Sequence, residues 1–193
     1  MKKIVFLSAI ALVSVASVNA QELKFGVTAG LNIPSFSGDL GQSMESTIGF
    51  QVGAVADVAL TESFSIVPEL LFSQRGGKPK GGGDATTLGY LQLPINAMYK
   101  IAINDNSKVL VFAGPYIGYG ITSSRDGVDF GSAPEHALNP LDFGLNIGAG
   151  YQFGSIFAKA QYNIGLTNVA NEVEGRKTDG GNSNIAITVG YFF

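Results

Sequence analysis

The chain is predicted to be all-β, an eight-stranded antiparallel up-and-down transmembrane β-barrel preceded by a cleaved signal peptide. Three observations predict it. Charged residues make up only 14% of the sequence, against about 25% in ordinary soluble domains. Glycine supplies 26 of 193 residues, well above the usual share of about 7%. Beyond the N-terminal segment no stretch stays apolar for the ~18 residues that would signal a membrane-spanning helix. A chain so poor in charge, without a helical span and rich in Gly and aromatics, fits a bilayer as a closed barrel, in which every backbone group is bonded between strands.

The N-terminal segment is set aside first. Lys2 and Lys3 precede an uncharged, mostly apolar run from Ile4 to Val18, and Val18, Asn19 and Ala20 offer small residues at the positions a signal peptidase reads. Residues 1–20 are therefore expected to be a secretory signal cleaved before Gln21, leaving residues 21–193 as one barrel domain. The run is shorter than the ~20 residues a helix needs to cross a bilayer, which disfavours an uncleaved anchor. Without Lys2 and Lys3, ten basic residues stand against fifteen acidic ones, so the mature charge is −5. That balance disfavours nucleic acid as a partner, which would want a basic face. With no Cys, disulfides and thiolate metal sites are excluded.

Period-two reading then gives the strands in order. Alternate residues are apolar from Leu23 to Ile33, from Ile48 to Leu60, from Phe64 to Phe72 and from Leu91 to Ile101. The same holds from Val109 to Ile121, from Leu141 to Phe153, from Ile156 to Leu166 and from Ile185 to Phe193. None of these alternate positions is charged. The opposite faces carry Thr28, Asn32, Gln51, Gln92, Asn96, Asn146, Gln161, Asn163 and Thr188, interspersed with glycines such as Gly26, Gly53, Gly148 and Gly190. The expected connections, 34–47, 61–63, 73–89, 102–108, 122–140, 154–155 and 167–184, alternate long and short. That is the rhythm of a barrel with short periplasmic turns, longer outer loops and both termini in the periplasm. Pro68 and Pro115 each remove a ladder donor, so bulges or irregular pairing are expected there. Gly76 to Gly83 (GGKPKGGG) is expected to be a flexible outer loop.

A soluble lipocalin-type barrel alternates too, with the faces inverted. Here the polar face is crowded with small residues, as a narrow lumen requires, and the apolar face carries no Lys or Glu to confer solubility. Aromatics also gather at strand ends on the apolar face. Phe25, Phe64, Tyr99, Tyr151, Phe153, Tyr191 and Phe193 fall toward one rim, and Phe50, Phe72, Tyr119 and Phe143 toward the other. Two girdles of this kind suit the two membrane interfaces.

The opening strand, Phe25-Gly-Val-Thr-Ala-Gly-Leu-Asn32, resembles that of the porin-family, PorT-like outer-membrane β-barrels of Bacteroidota. The ending Val189-Gly-Tyr-Phe-Phe193, with its terminal aromatic, is similar to theirs, as is the leader ending Asn19-Ala20-Gln21. The resemblance covers the mature chain in pattern. It implies an outer-membrane location, outer-membrane lipid as surroundings and the barrel-assembly machinery as a partner during biogenesis; it supplies no catalytic residue and no cofactor.

Three lysines and three carboxylates fall on the inward face: Lys24, Lys100 and Lys159 with Asp57, Glu69 and Asp142. An unpaired buried ion costs several kcal/mol, so these six are expected to form an ion-pair network that plugs the lumen. An interior of eight strands is barely wider than its own side chains, which leaves a narrow gated ion path as the alternative to a plug and no room for an open pore. His136, the only histidine, lies near Asp126, Asp129, Ser132 and Glu135 in the third long connection. Paired with Ser132 it would suggest a membrane-embedded lipid hydrolase or acyltransferase, but adjacency in sequence does not make a triad, and a solvated loop histidine is expected. One His without Cys gives no transition-metal site, and Asp126 and Asp129 lack EF-hand spacing. No Gly-rich run has the form of a phosphate loop. Arg75, Lys78 and Lys80 give the second long connection a basic character suited to lipid phosphates. The expected role is structural or surface-binding, through four outer loops, and non-enzymatic.

Overall fold

Strand formation follows the alternation closely. In the computed structural model, residues 22–36, 44–82, 84–124, 140–167 and 182–193 are described. They form β1 (Glu22–Phe36), β2 (Met44–Thr47), β3 (Gly49–Ala59), β4 (Phe64–Pro79), β5 (Thr86–Asn104), β6 (Ser107–Ser123), β7 (Leu141–Phe153), β8 (Ile156–Gly165) and β9 (Asn182–Phe192). β2 and β3 are one barrel strand interrupted at the exposed Ile48, and both pair with β4. All neighbours are antiparallel, β1 pairs with both β3 and β9, and the β4–β5 ladder closes the sheet. The result is a closed eight-stranded barrel with no free edge across the apolar band.

The outward face is apolar on every barrel strand, and the inward face carries nearly all the polar side chains. Outward stand Phe25, Val27 and Leu31 on β1, Val111, Ile117 and Tyr119 on β6, Phe143, Leu145 and Ile147 on β7, and Ile185, Ile187 and Val189 on β9, all exposed. Large apolar side chains exposed in such number are stable only against hydrocarbon. Inward, Thr28, Asn32, Gln51, Glu69, Asn96, Asn146, Asn163 and Thr188 are buried. Of the girdle residues, Phe25, Tyr99, Tyr151, Phe153, Tyr191 and Phe193 are exposed near the end that carries the short turns, and Phe50, Tyr119 and Phe143 toward the opposite end. Phe64 and Phe72 are half-buried, Phe72 against Phe50 with ring centroids 5.8 Å apart.

Tight connections define the turn end. Between β3 and β4, Thr61 Oγ1 accepts from the amides of Ser63 and Phe64 at 3.3 and 3.0 Å. Between β7 and β8 only Gly154 and Ser155 intervene, and Gly154 takes φ +56°, a conformation that favours glycine. The prolines interrupt hydrogen bonding without shifting register: the β3–β4 ladder skips Val67 and Pro68, and the β5–β6 ladder skips Gly114 and Pro115. The register shifts lie elsewhere, at Gly89/Tyr90 and Ala102/Asn104.

The second long connection is shorter than the sequence implied. β4 continues to Pro79 and β5 begins at Thr86, while Thr47 and Ser46 pair with Gly76 and Gly77. Gly76 to Pro79, expected as flexible loop, is strand. Apolar alternation ends where strands leave hydrocarbon, whereas the hydrogen-bonded ladder continues beyond it among polar residues.

Candidate functional site

The lumen holds the concentrated chemistry of the described residues, and it is layered from the turn end upward. Nearest the turns, Lys100 on β5 donates to Asp57 Oδ2 on β3 at 2.5 Å. Lys24 is the Cα partner of Asp57 across β1 and β3, yet it pairs instead with Glu22 at 3.2 Å. Both Lys24 and Glu22 stand in solvent at the mouth, with side chains 39% and 63% exposed. The expected network therefore loses Lys24: a lysine at the rim keeps its hydration, and Asp57 is served by the more deeply placed Lys100.

Above that pair lies an apolar layer of Val55, Val67, Met98, Leu110, Phe112, Phe157 and Phe192. Glycines make room for its rings. A Cβ on Gly190 would fall 2.1 Å from Phe157 Cζ, and one on Gly148 would fall 2.4 Å from Phe112 Cζ. Each ring thus occupies the space left by the glycine that is its register partner on a neighbouring strand, which lets an eight-stranded wall close over aromatic side chains.

Next comes the central pair, Lys159 on β8 with Glu69 on β4, side chains only 2% and 1% exposed. These strands are diametrically opposite in the barrel order, so the ion pair is a strut across the lumen. Glu69 Oε1 also accepts from Asn96 Nδ2 at 3.3 Å, and Asn96 Oδ1 accepts from Asn146 Nδ2 at 3.4 Å. The Lys159 ammonium stands 5.6 Å from the Phe112 ring centre and 5.9 Å from that of Phe157, where cation–π attraction ties the strut to the apolar layer.

Toward the loop end, Asp142 on β7 accepts from Arg75 on β4 at 3.1 Å. The guanidinium stands over Tyr90 on β5 and Tyr116 on β6, at 5.7 and 5.9 Å from their ring centres. Asp142 Oδ1 accepts from Tyr116 Oη at 3.4 Å and from Thr167 Oγ1 at 3.3 Å. Arg75, assigned from the sequence to a basic outer loop, is instead buried in the lumen and supplies the cation for Asp142. Lys78 is exposed and paired with Glu45 at 3.2 Å, and Lys80 is exposed beyond β4. Beside Arg75's belt, Asn32 donates to Ser73 Oγ at 3.0 Å and accepts from Asn184 at 3.0 Å.

Of the six lumen residues singled out from the sequence, five therefore lie in three separate buried ion pairs that include Arg75, and Lys24 stands outside them. The inward apolar residues and Arg75 were the features missed. Parity marked them: Phe112 lies between outward Val111 and Ala113, and Arg75 is six residues from Glu69 on one strand face. His136, Ser132, Asp126, Asp129 and Glu135 lie outside the described residues. No group of three or more metal-ligating side chains occurs among those described.

Residues 19–171 match the family described as outer membrane protein beta-barrel domain. The chain belongs to that family. It is thus a small outer-membrane β-barrel of eight strands. Solved structures are similar to it at low identity, and those with TM-scores above 0.5 share its fold. Neisserial surface protein A is 16% identical, with 88% of this chain and 97% of that one covered and a TM-score of 0.52. OprG of Pseudomonas aeruginosa is 12% identical, covering 88% and 95%, with a TM-score of 0.52. Ail of Yersinia pestis, the attachment invasion locus protein, is 16% identical, covering 89% and 99%, with a TM-score of 0.49. None of the curated proteins matches the sequence.

Proposed function

We propose that this outer-membrane β-barrel is a non-enzymatic, non-conducting protein that serves membrane integrity or surface binding through its loop end. In this reading residues 1–20 are the cleaved leader, the barrel-assembly machinery inserts residues 21–193, and the termini and short turns face the periplasm. The same reading takes it as a relative of the PorT-like barrels of Bacteroidota, which its opening and closing strand motifs resemble. One observation carries the reading: the lumen is crossed by the Lys159–Glu69 strut directly above a ring-packed apolar layer. A path for hydrated ions would have to break a buried ion pair and wet aromatic side chains, each at a cost of several kcal/mol. Function then falls to the exposed loop end, where the strands outrun the apolar band.

Planar-bilayer recordings of the refolded mature protein test it. The expected trace shows no conductance steps above baseline, and Lys159→Ala with Phe112→Ala opens steps by removing strut and ring. Regular steps from the unaltered protein would instead establish a gated ion path. Protease added to intact cells should cut within residues 37–43, 125–139 or 168–181 while sparing the short turns; cleavage confined to the turns would overturn the orientation.

A further inference from the structure

Three prolines stand on consecutive strands: Pro68 on β4, Pro94 on β5 and Pro115 on β6. Each lies at a gap in a ladder. The β3–β4 pairing skips Ala56, Asp57, Val67 and Pro68. The β4–β5 pairing skips Glu69, Leu70, Leu93 and Pro94, and the β5–β6 pairing skips Ile95, Asn96, Gly114 and Pro115. Successive residues of a strand face opposite neighbours, so flanking backbone bonds give the side that each proline faces. Leu60 N donates to Phe64 O, Lys100 N to Ser63 O and Gly120 N to Pro140 O. Pro68 therefore faces β3, Pro94 faces β4 and Pro115 faces β5. Each turns its missing N–H toward the preceding strand. By the flanking register, the carbonyls that lose this donor belong to Ala56, Glu69 and Ile95.

The gaps adjoin one another along β4 and β5, so they form one oblique seam across β3–β6 at mid-height. The ladders that join β6 to β7, β8, β9, β1 and β3 in turn run without a gap. Each gap also carries an inward polar side chain bonded to a strand beyond its neighbour. Asp57 on β3 accepts from Lys100 on β5, and the two also line a cavity of about 540 Å³ at the turn end. Glu69 on β4 accepts from Lys159 on β8, and Asn96 on β5 accepts from Asn146 on β7. The third buried ion pair differs, because Arg75 and Asp142 are themselves paired in ladders, with Leu88 and Gly118.

We propose that the seam is a built-in line of flexion, latched from inside by Lys100–Asp57, Lys159–Glu69 and Asn146–Asn96. These side-chain bonds across the lumen replace the ladder bonds that proline removes. While they hold, the β3–β6 half is fixed to the uninterrupted wall. Once they release, that half bends at mid-height and widens the lumen, while β7, β8, β9 and β1 keep their pairing. The device goes beyond the proposed function and depends neither on orientation nor on what the loops bind.

Amide hydrogen exchange of the isotope-labelled mature protein in detergent micelles tests it. Ile66, Leu71 and Ala97 make the first ladder bonds beside the three gaps, and Ala29 and Ala149 belong to uninterrupted ladders. Below the urea midpoint the first three should exchange through a partial opening with weak urea dependence, whereas Ala29 and Ala149 should exchange only on global unfolding. Lys159→Met should speed Leu71 and Ala97 about tenfold or more, as expected for losing one charge-assisted bond. Asn146→Ala, a milder change, should speed Ala97. Asp142→Asn breaks a pair that stays closed in the partial opening, so it should speed Ala29 and Ala149 and leave the seam amides at their native rates. All five amides following one global urea dependence, unchanged Leu71 and Ala97 in folded Lys159→Met, or seam amides sped by Asp142→Asn would each overturn the proposal.

Discussion

Lys159–Glu69 and Lys24–Glu22 are the same chemistry, lysine against glutamate, at opposite extremes of solvent. The first is almost wholly enclosed in the middle of the lumen; the second stands at the open mouth. Enclosure gives the central pair its structural weight, because neither ion can recover hydration if the other is removed. At the mouth water replaces a lost partner freely, so the pair contributes little. Lys100–Asp57 lies between these extremes, buried in itself but bordering the turn-end cavity. Depth along the barrel axis, and not ion-pair count, orders the energetics of the lumen.

The largest effect is expected at the centre. Lys159→Ala strands Glu69 and should lower stability by about 3–5 kcal/mol, read as a fall in the urea midpoint followed by tyrosine fluorescence. Replacing both partners, Lys159→Met with Glu69→Leu, should recover most of that loss, since an apolar pair leaves no ion unpaired. A double variant as unstable as the single one would show that shape, and not charge, fixes this level.

The apolar layer comes next. Gly190→Val places side-chain atoms where Phe157 lies and should cost about 1–3 kcal/mol by overpacking. Phe157→Ala should suppress that cost in a double-mutant cycle, and strict additivity of the two changes would remove the ring-on-glycine account. Lys100→Met should cost about 1–3 kcal/mol, less than the central change because Asp57 borders the cavity. The smallest effect belongs to the mouth: Lys24→Gln should leave the urea midpoint within about 0.5 kcal/mol of the unaltered protein.

How much of this was legible in sequence divides along the same axis. The lipid-facing side was readable because hydrocarbon tolerates no charge, so period two survives intact from Val109 to Ile121 and from Leu141 to Phe153. The lumen was only half readable. Its charges were visible, but pairing depends on which strands face one another across a closed barrel, and spacing along one strand does not contain that. Lys24 and Asp57 are register neighbours and still choose other partners. Arg75 was misplaced because alternation of apolar residues fades after Phe72 while the ladder runs on to Pro79. Phe112, Tyr116 and Phe157 were on the inward parity throughout, but a lumen expected to be polar hid them.

The sorting of side chains between lipid and lumen is tested most directly by single tryptophans, since the native chain contains none. Leu145→Trp and Ile187→Trp should be strongly quenched by lipids brominated along the acyl chain. Phe112→Trp and Tyr116→Trp, on the inward face, should be left nearly unquenched in the same vesicles. Equal quenching of the two sets, or quenching of the inward pair alone, would contradict the fold's assignment of its two faces.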